Sequence, residues 1–148
     1  MEKHSENIYK RARRAAGLTQ ERWAEFLGIS VDSVSNYELG IYPPPEDVML
    51  QMADISGMKI LPYWHLNMKT SAGSIVLPEL EEKRLPESLL SLLVQIEEFS
   101  DTAMRELVRI GADGKVSDDE KESYQICLSK MELVIRDLYA VRYAKETE

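Results

Sequence analysis

The stretch QERWAEFLGISVDSVSNYELG, residues 20–40, concentrates side chains that can form hydrogen bonds. Its second half, SVDSVSNYE, offers hydroxyl, carboxamide and carboxylate groups but no lysine or arginine. Serine hydroxyls and asparagine carboxamides both donate and accept hydrogen bonds. The two apolar-periodic stretches meet at Gly28, and glycine tolerates the positive φ that a sharp turn between helices needs. This segment is therefore either a helical hairpin of the core or a surface that recognises a binding partner.

Other chemistry has little support in the sequence. There is no glycine-rich phosphate loop, nucleophile elbow or paired-carboxylate arrangement. His4 and His65 lack a Cys or His neighbour at metal-ligand spacing. The segment DGKVSDDE lacks the alternating oxygen ligands of a calcium loop. We therefore expect no metal, no other cofactor and no enzymatic activity; a small hydrolase or metal enzyme has no positive feature.

The size and composition favour a cytoplasmic protein. The 148 residues suit one domain, or a small domain with an appendage. The longest apolar runs are too short to span a bilayer, and the start MEKHSENIYK lacks the apolar core of a secretory signal. The single cysteine, Cys127, excludes an internal disulfide. We expect no membrane partner.

Charge is distributed unevenly along the chain. The net charge is −8, but residues 1–69 carry 8 basic and 9 acidic side chains, whereas residues 70–148 carry 10 basic and 17 acidic ones. The acidity therefore belongs to the C-terminal half. A basic cluster, KRARR at residues 10–14, lies just ahead of the polar stretch, where it could attract an anionic partner.

Apolar residues recur at three- and four-residue steps, which predicts helices throughout and no strand. The segment KTSAGSIVLPELEEKRLP mixes small residues, prolines and charges and predicts a linker. Two long amphipathic helices follow it, with capping-box spacing at Ser117 and Glu120 before the second. The prediction is an all-α fold with a five-helix domain over 1–69, a linker over 70–84 and a long antiparallel helical hairpin over 85–148.

Residues 6–66 resemble the phage-repressor-like helix-turn-helix family, also called the Xre or Cro/lambda-repressor type. The resemblance rests on LTQERWAEFLGIS, on VSNYELG followed by prolines, and on LQMADISGM. It implies a five-helix lambda-repressor-like domain whose third helix enters the major groove of double-stranded DNA while the second crosses the backbone. The hairpin is assigned to no family.

The resemblance also implies roles for individual residues. The base-contacting positions are Val31, Asp32, Ser33 and Asn36. Gln20 would contact a phosphate, and Lys10, Arg11 and Arg14 would attract the backbone. Arg13 and Glu38 match positions that form a structural ion pair. Three alternatives stay open: DNA contact for Arg13, support of the helix N-terminus for Asp32 and a solvated role for Asn36.

These features predict a sequence-specific transcriptional regulator and favour a repressor over an activator. The alternative is a protein-interaction module, such as an antitoxin-like or regulator-binding protein that uses the helical scaffold. We expect a homodimer because the basic side chains are few, and the hairpin could supply the interface. Docking of the hairpin against Tyr63 and Trp64 of its own N-terminal domain is the alternative. The predicted dimer interface comprises Leu92, Ile96, Phe99, Met131, Ile135 and Leu138.

Overall fold

The computed structural model describes residues 6–146, and His4 lies outside them. Every regular element in that range is a helix, which confirms the predicted all-α fold. The chain divides into a head unit, residues Met1–Leu77, and a hairpin unit, residues Pro78–Glu148. None of the helices found between residues 6 and 146 is long and apolar enough to cross a membrane.

The head unit contains six helices, and polar side chains cap the first three. The Asn7 side chain accepts hydrogen bonds from two backbone N–H groups at the start of the first helix. Thr19 and Ser30 each accept one at the starts of the second and third. The helices are α1 Ile8–Ala15, α2 Gln20–Leu27, α3 Val31–Glu38, α4 Glu46–Ser56, α5 Leu61–Lys69 and α6 Ser71–Val76.

Gly28 makes the turn between α2 and α3. Its φ is +65°, a left-handed conformation that costs an L-residue free energy and glycine almost none. Its N–H bonds the carbonyl of Glu25, and that of Ile29 bonds Ala24 at 3.0 Å. The second helix therefore stops at the glycine, and α3 leaves at the angle that this turn sets.

The core of the head unit lies among α1, α2, α4 and α5. Trp23 and Leu61 are fully buried, and Ala12 is buried where α1 packs on its neighbours. Ala24 is also buried, which allows α2 and α3 to approach closely. The third helix buries Val34 and Tyr37 and so leaves its opposite face available to a partner.

The sequence predicts an irregular linker over residues 70–84, whereas the structure has α6 at Ser71–Val76. Thr70 caps this helix by accepting a 2.8 Å hydrogen bond from the N–H of Gly73. A Cβ on Gly73 would lie 2.0 Å from the carbonyl oxygen of Leu66, so only glycine permits this close packing of α6 on α5. The small residues that predict a linker are therefore the ones that let a helix fold back, and residues 77–84 remain irregular.

The hairpin unit consists of α7 Leu85–Glu98, a π-helical turn Phe99–Met104, α8 Arg105–Gly111 and α9 Lys121–Arg142. The two arms are antiparallel, because the start of α7 lies beside the end of α9 and the end of α8 beside the start of α9. A backbone bridge joins Arg84 to Lys145, and an ion pair joins Arg109 to Glu120. Ahead of α9, both the N–H and the hydroxyl of Ser117 bond the carboxylate of Glu120, at 3.2 and 2.6 Å. The segment DGKVSDDE is thus a turn, and the predicted capping box is only half formed, because the N–H of Glu120 bonds the carbonyl of Ser117 rather than its hydroxyl.

The hairpin buries apolar residues such as Ile110 and Cys127, but it also buries two polar residues and exposes several apolar ones. Ser88 and Asp137 are buried, and Asp137 accepts hydrogen bonds from Ser91 at 2.5 Å and from Arg136 at 2.9 Å. Of the six predicted interface residues, Ile96, Ile135 and Leu138 are exposed. The other three are half-buried, namely Leu92, Phe99 and Met131.

A buried pair of titratable side chains lies in the head core. The Tyr9 hydroxyl and His65 Nδ1 are 2.9 Å apart, and within the described residues His65 Nε2 has no hydrogen-bond partner. Burial raises the pKa of Tyr9 to about 12. Burial lowers the pKa of His65, Lys69 lowers it further, and Glu46 opposes the shift. His65 is therefore held neutral.

This pair predicts acid sensitivity of the head. Below the ordinary His pKa of 6.5, His65 is protonated in the unfolded chain but less readily in the folded protein, where its pKa is lower. The free energy of unfolding should therefore be unaffected by this group above that pH and should fall as the pH drops below it. Urea denaturation between pH 7.5 and 5.5 should show a smaller pH dependence for His65→Gln than for the wild type. Equal pH dependence in the two proteins would contradict the assignment.

Candidate nucleic-acid interface

The exposed face of α3 carries the four predicted base-contacting residues. Val31 and Asp32 are exposed in the first turn, and Ser33 and Asn36 are half-buried. The N–H of Ser33 donates to the Ser30 hydroxyl at 3.1 Å, and the two hydroxyls are 2.8 Å apart. Ser33 therefore takes part in the helix cap. Asp32 and Ser33 lie four and three residues before Asn36, so each is a neighbour of Asn36 on the helix surface.

Asn36 makes a side-chain contact outside its helix. Its Nδ2 donates a 3.2 Å hydrogen bond to the hydroxyl of Tyr42. The Tyr42 ring packs edge-on against Tyr37, with centroids 5.4 Å apart and planes at 89°. No role for Tyr42 is predictable from the sequence, where it is only a lone aromatic residue in a loop.

Glu38 lies at the centre of a hydrogen-bond network. Its carboxylate accepts from Arg13 Nε at 2.6 Å and Nη2 at 3.0 Å, and from Gln20 Nε2 at 2.9 Å. Arg13 Nη1 also donates to the carbonyl of Leu18 at 2.8 Å. The side chains of Arg13 and Glu38 are only 13% and 5% exposed. All three nitrogens of the Arg13 guanidinium are engaged inside the protein, which favours its structural role over DNA contact.

Opposing effects act on the charge of Glu38. Burial raises the pKa of this carboxyl, but hydrogen bonds from Arg13 and Gln20 and the Arg13 charge outweigh burial, so the pKa lies below its usual value. The hydrogen bond to Glu38 in turn raises the pKa of Arg13. Both groups are therefore ionised at neutral pH. The Gln20 amide nitrogen donates one hydrogen bond to the carboxylate, so that N–H is not available to a phosphate.

The predicted phosphate-attracting residues lie along α1. Lys10 is half-buried at the surface of the helix. The Arg11 guanidinium lies 4.4 Å from the centroid of the buried Trp64 ring. Arg14 forms a 2.5 Å ion pair with Glu6, with both side chains partly exposed. Exposed pairs of this kind are weak, so a phosphate could compete for Arg14.

Residues 10–59 match a family model described as a helix-turn-helix domain. The match includes α2, α3, α4 and the turn at Gly28, and it confirms the helix-turn-helix resemblance predicted from the sequence. Such a domain indicates a DNA-binding regulator and is typically non-enzymatic. No curated protein and no solved structure matches the chain.

The network around Glu38 predicts strong coupling between two charges. Arg13→Ala and Glu38→Ala should each lower the free energy of unfolding by about 3 kcal/mol, because the remaining charge is left uncompensated in a largely buried site. The double variant should lose less than the sum of the two. Urea denaturation of the four proteins measures the cycle. Arg22→Ala, which breaks the exposed pair with Glu25, is the control and should change stability little. Additive losses would show that the two charges do not interact.

Proposed function

We propose that the chain, whose residues 10–59 form a helix-turn-helix domain, is a sequence-specific transcriptional repressor that binds double-stranded DNA as a homodimer. In this proposal α3 enters the major groove, α2 crosses the backbone, and occupancy of the groove blocks transcription. The observation that carries it is the capped α2–Gly28–α3 unit, which buries Val34 and Tyr37 and leaves a polar face outward.

The polar face suits base edges. An asparagine carboxamide can pair bidentately with adenine, a carboxylate accepts from cytosine N4, and an apolar group contacts the methyl of thymine. Asn36, Asp32 and Val31 would fill these three roles, with Ser33 beside them. The N–H groups of the first turn of α2 would meet a phosphate next to Gln20.

Weak attraction to the DNA backbone favours a dimer. Phosphate contacts dominate affinity for DNA, yet Arg13, Arg14 and Arg22 all pair with carboxylates of the head. The first two helices contain two further cations, Lys10 and Arg11. Joining two heads raises the effective concentration of the second at its half-site without any new contact to DNA.

The hairpin unit offers a surface for that dimer. Leu89, Leu93 and Ile96 are exposed on α7, and their spacing places them on one side of that helix. Ile135 and Leu138 are exposed on α9. When each helix is viewed along its own axis from its N-terminus, the exposed residues of α7 and those of α9 are rotated in the same direction away from the line of contact. In an antiparallel pair of right-handed helices, such residues lie on the same face of the pair. We define these five residues as the leucine face.

A second hairpin of the same chain is the partner that fits the leucine face. Contiguous exposed apolar patches usually mark an interaction surface. Two hairpins packed on each other would form a four-helix bundle, with Leu92, Phe99 and Met131 at the edges of its core. That bundle would bury the apolar groups and place one head at each side of a two-fold axis.

One observation favours the alternative function. Three of the arginines of the head are tied to carboxylates, which lowers the positive charge available to phosphates. A protein-interaction module, antitoxin-like or binding another regulator, would keep the head as scaffold and would not need those cations. Selection of sites from a random duplex pool separates the two functions. An enriched inverted repeat supports the repressor, and no enrichment supports the interaction module.

Asn36 provides a residue-level prediction for the same selection. Asn36→Ala should relax the preference at one base position and cost about 1–3 kcal/mol against the best site. Gln20→Ala should weaken all sequences alike, since phosphates carry no sequence information. Gln51→Ala, an exposed amide on α4, is the matched control and should leave the site unchanged. An unaltered selected site for a binding-competent Asn36→Ala would contradict the role of Asn36.

The dimer predicts that one charge on the leucine face separates the subunits. Leu138→Glu should convert the full-length protein from dimer to monomer, because it buries a carboxylate at the interface. Val108→Glu is the control: Val108 is 70% exposed on α8, outside the leucine face, and its variant should stay dimeric. Light scattering at tens of micromolar measures both. A monomeric wild type, or a dimeric Leu138→Glu protein, would remove the hairpin from this role.

A further inference from the structure

The loop after α3 folds back onto the helix it follows. The N–H of Gly40 bonds the carbonyl of Tyr37 at 3.1 Å, and that of Ile41 bonds the carbonyl of Asn36 at 3.0 Å. With Gly40 at φ +73°, these two bonds form a Schellman motif, which reverses the chain at the end of a helix. The reversal brings Tyr42 beside the last turn of α3.

Tyr42 is 44% exposed, but two side-chain contacts and the backbone that follows it restrict its position. Its ring meets the buried Tyr37 edge-on, and its hydroxyl accepts the hydrogen bond from Asn36. The residues that follow are three prolines, each with a restricted φ, and the second of them, Pro44, is fully buried. The hydroxyl is therefore held in place beside Asn36 in the absence of DNA.

We propose that Tyr42 is the positioning residue that makes Asn36 read adenine rather than guanine. This inference rests on the proposed function, in which α3 enters the major groove. A free carboxamide has two N–H donors and one acceptor oxygen. The Tyr42 hydroxyl takes one donor, which leaves one N–H and the oxygen for a base.

The remaining pair of groups matches only one purine. Adenine presents an acceptor at N7 and a donor at N6, so it meets the free N–H and the oxygen of Asn36 together. Guanine presents two acceptors, N7 and O6, and would leave the carboxamide oxygen facing O6. Because Tyr42 also restricts rotation of the amide, less side-chain freedom is lost when the base binds. Without the hydroxyl, the amide can turn and offer both N–H groups to guanine.

The test compares base preference in Tyr42→Phe and the wild type. The base position is the one that Asn36→Ala relaxes, and binding is measured for four duplexes that differ only there. Tyr42→Phe keeps the edge-on ring contact and removes the hydroxyl, so the preference for adenine over guanine should fall about 3- to 10-fold. Tyr124→Phe, which removes a hydroxyl from α9, should leave the preference intact. Adding Tyr42→Phe to Asn36→Ala should cause no further loss.

The outcomes separate this inference from the function on which it rests. A wild type that selects no site overturns the repressor proposal and this inference with it. A wild type that selects a site but prefers guanine there overturns the inference alone. So does a Tyr42→Phe protein that keeps its preference, or that loses affinity for all four duplexes alike.

A second measurement needs no DNA. In the free protein, Tyr42→Phe should move the side-chain amide proton resonances of Asn36. Those of Asn67, whose Nδ2 donates to the carbonyl of Leu77, should stay in place. Unmoved Asn36 resonances would show that the hydroxyl does not hold the amide and would overturn the inference whatever the DNA results.

Discussion

The carboxylate of Glu38 holds three helices of the head unit together. It lies at the end of α3 and accepts hydrogen bonds from Arg13 of α1 and Gln20 at the start of α2. The turn at Gly28 sets the angle between α2 and α3, but it does not attach them to the rest of the domain. The apolar core supplies most of that attachment, and the nearly buried Glu38 carboxylate adds a polar link from α3 to α1 and α2. The polar face of α3 is therefore oriented by both the core and this link.

The third helix of the head and the hairpin arms differ in the polarity of the groups they bury and expose. In the head, α3 buries Val34 and Tyr37 and exposes Asp32. In the hairpin, Asp137 is buried and accepts a hydrogen bond from the half-buried Ser91, while Leu89 and Leu93 remain exposed. A buried carboxylate with partners fixes how two helices meet at a cost in stability. Covering apolar groups that are exposed to water is favourable, and this supports the proposed association of two hairpins.

Local patterns made the helices of the head predictable. The caps at Thr19 and Ser30 and the glycine at position 28 are signals within a few residues, and α2 and α3 begin and end where those signals place them. The contact between Asn36 and Tyr42 depends on a chain reversal and an aromatic packing that no periodicity encodes. The helix α6 was missed because Gly73 matters through its closeness to Leu66 in α5, which the sequence does not reveal. The π-helical turn was not predicted either, because its one-residue shift in spacing is recognisable only once the facing helix is known.

That π-helical turn changes the spacing of the residues that face α9. Ser88 and Gln95 are seven residues apart, Ala103 follows after eight, and Ile110 after seven more. On the facing arm, Cys127, Val134 and Val141 keep the spacing of seven throughout. The π turn thus absorbs one extra residue and returns the helix to register. Homologues that lack one residue between positions 95 and 103 would form the same hairpin with an ordinary α-helix, so a single-residue gap in an alignment there is compatible with an unchanged fold.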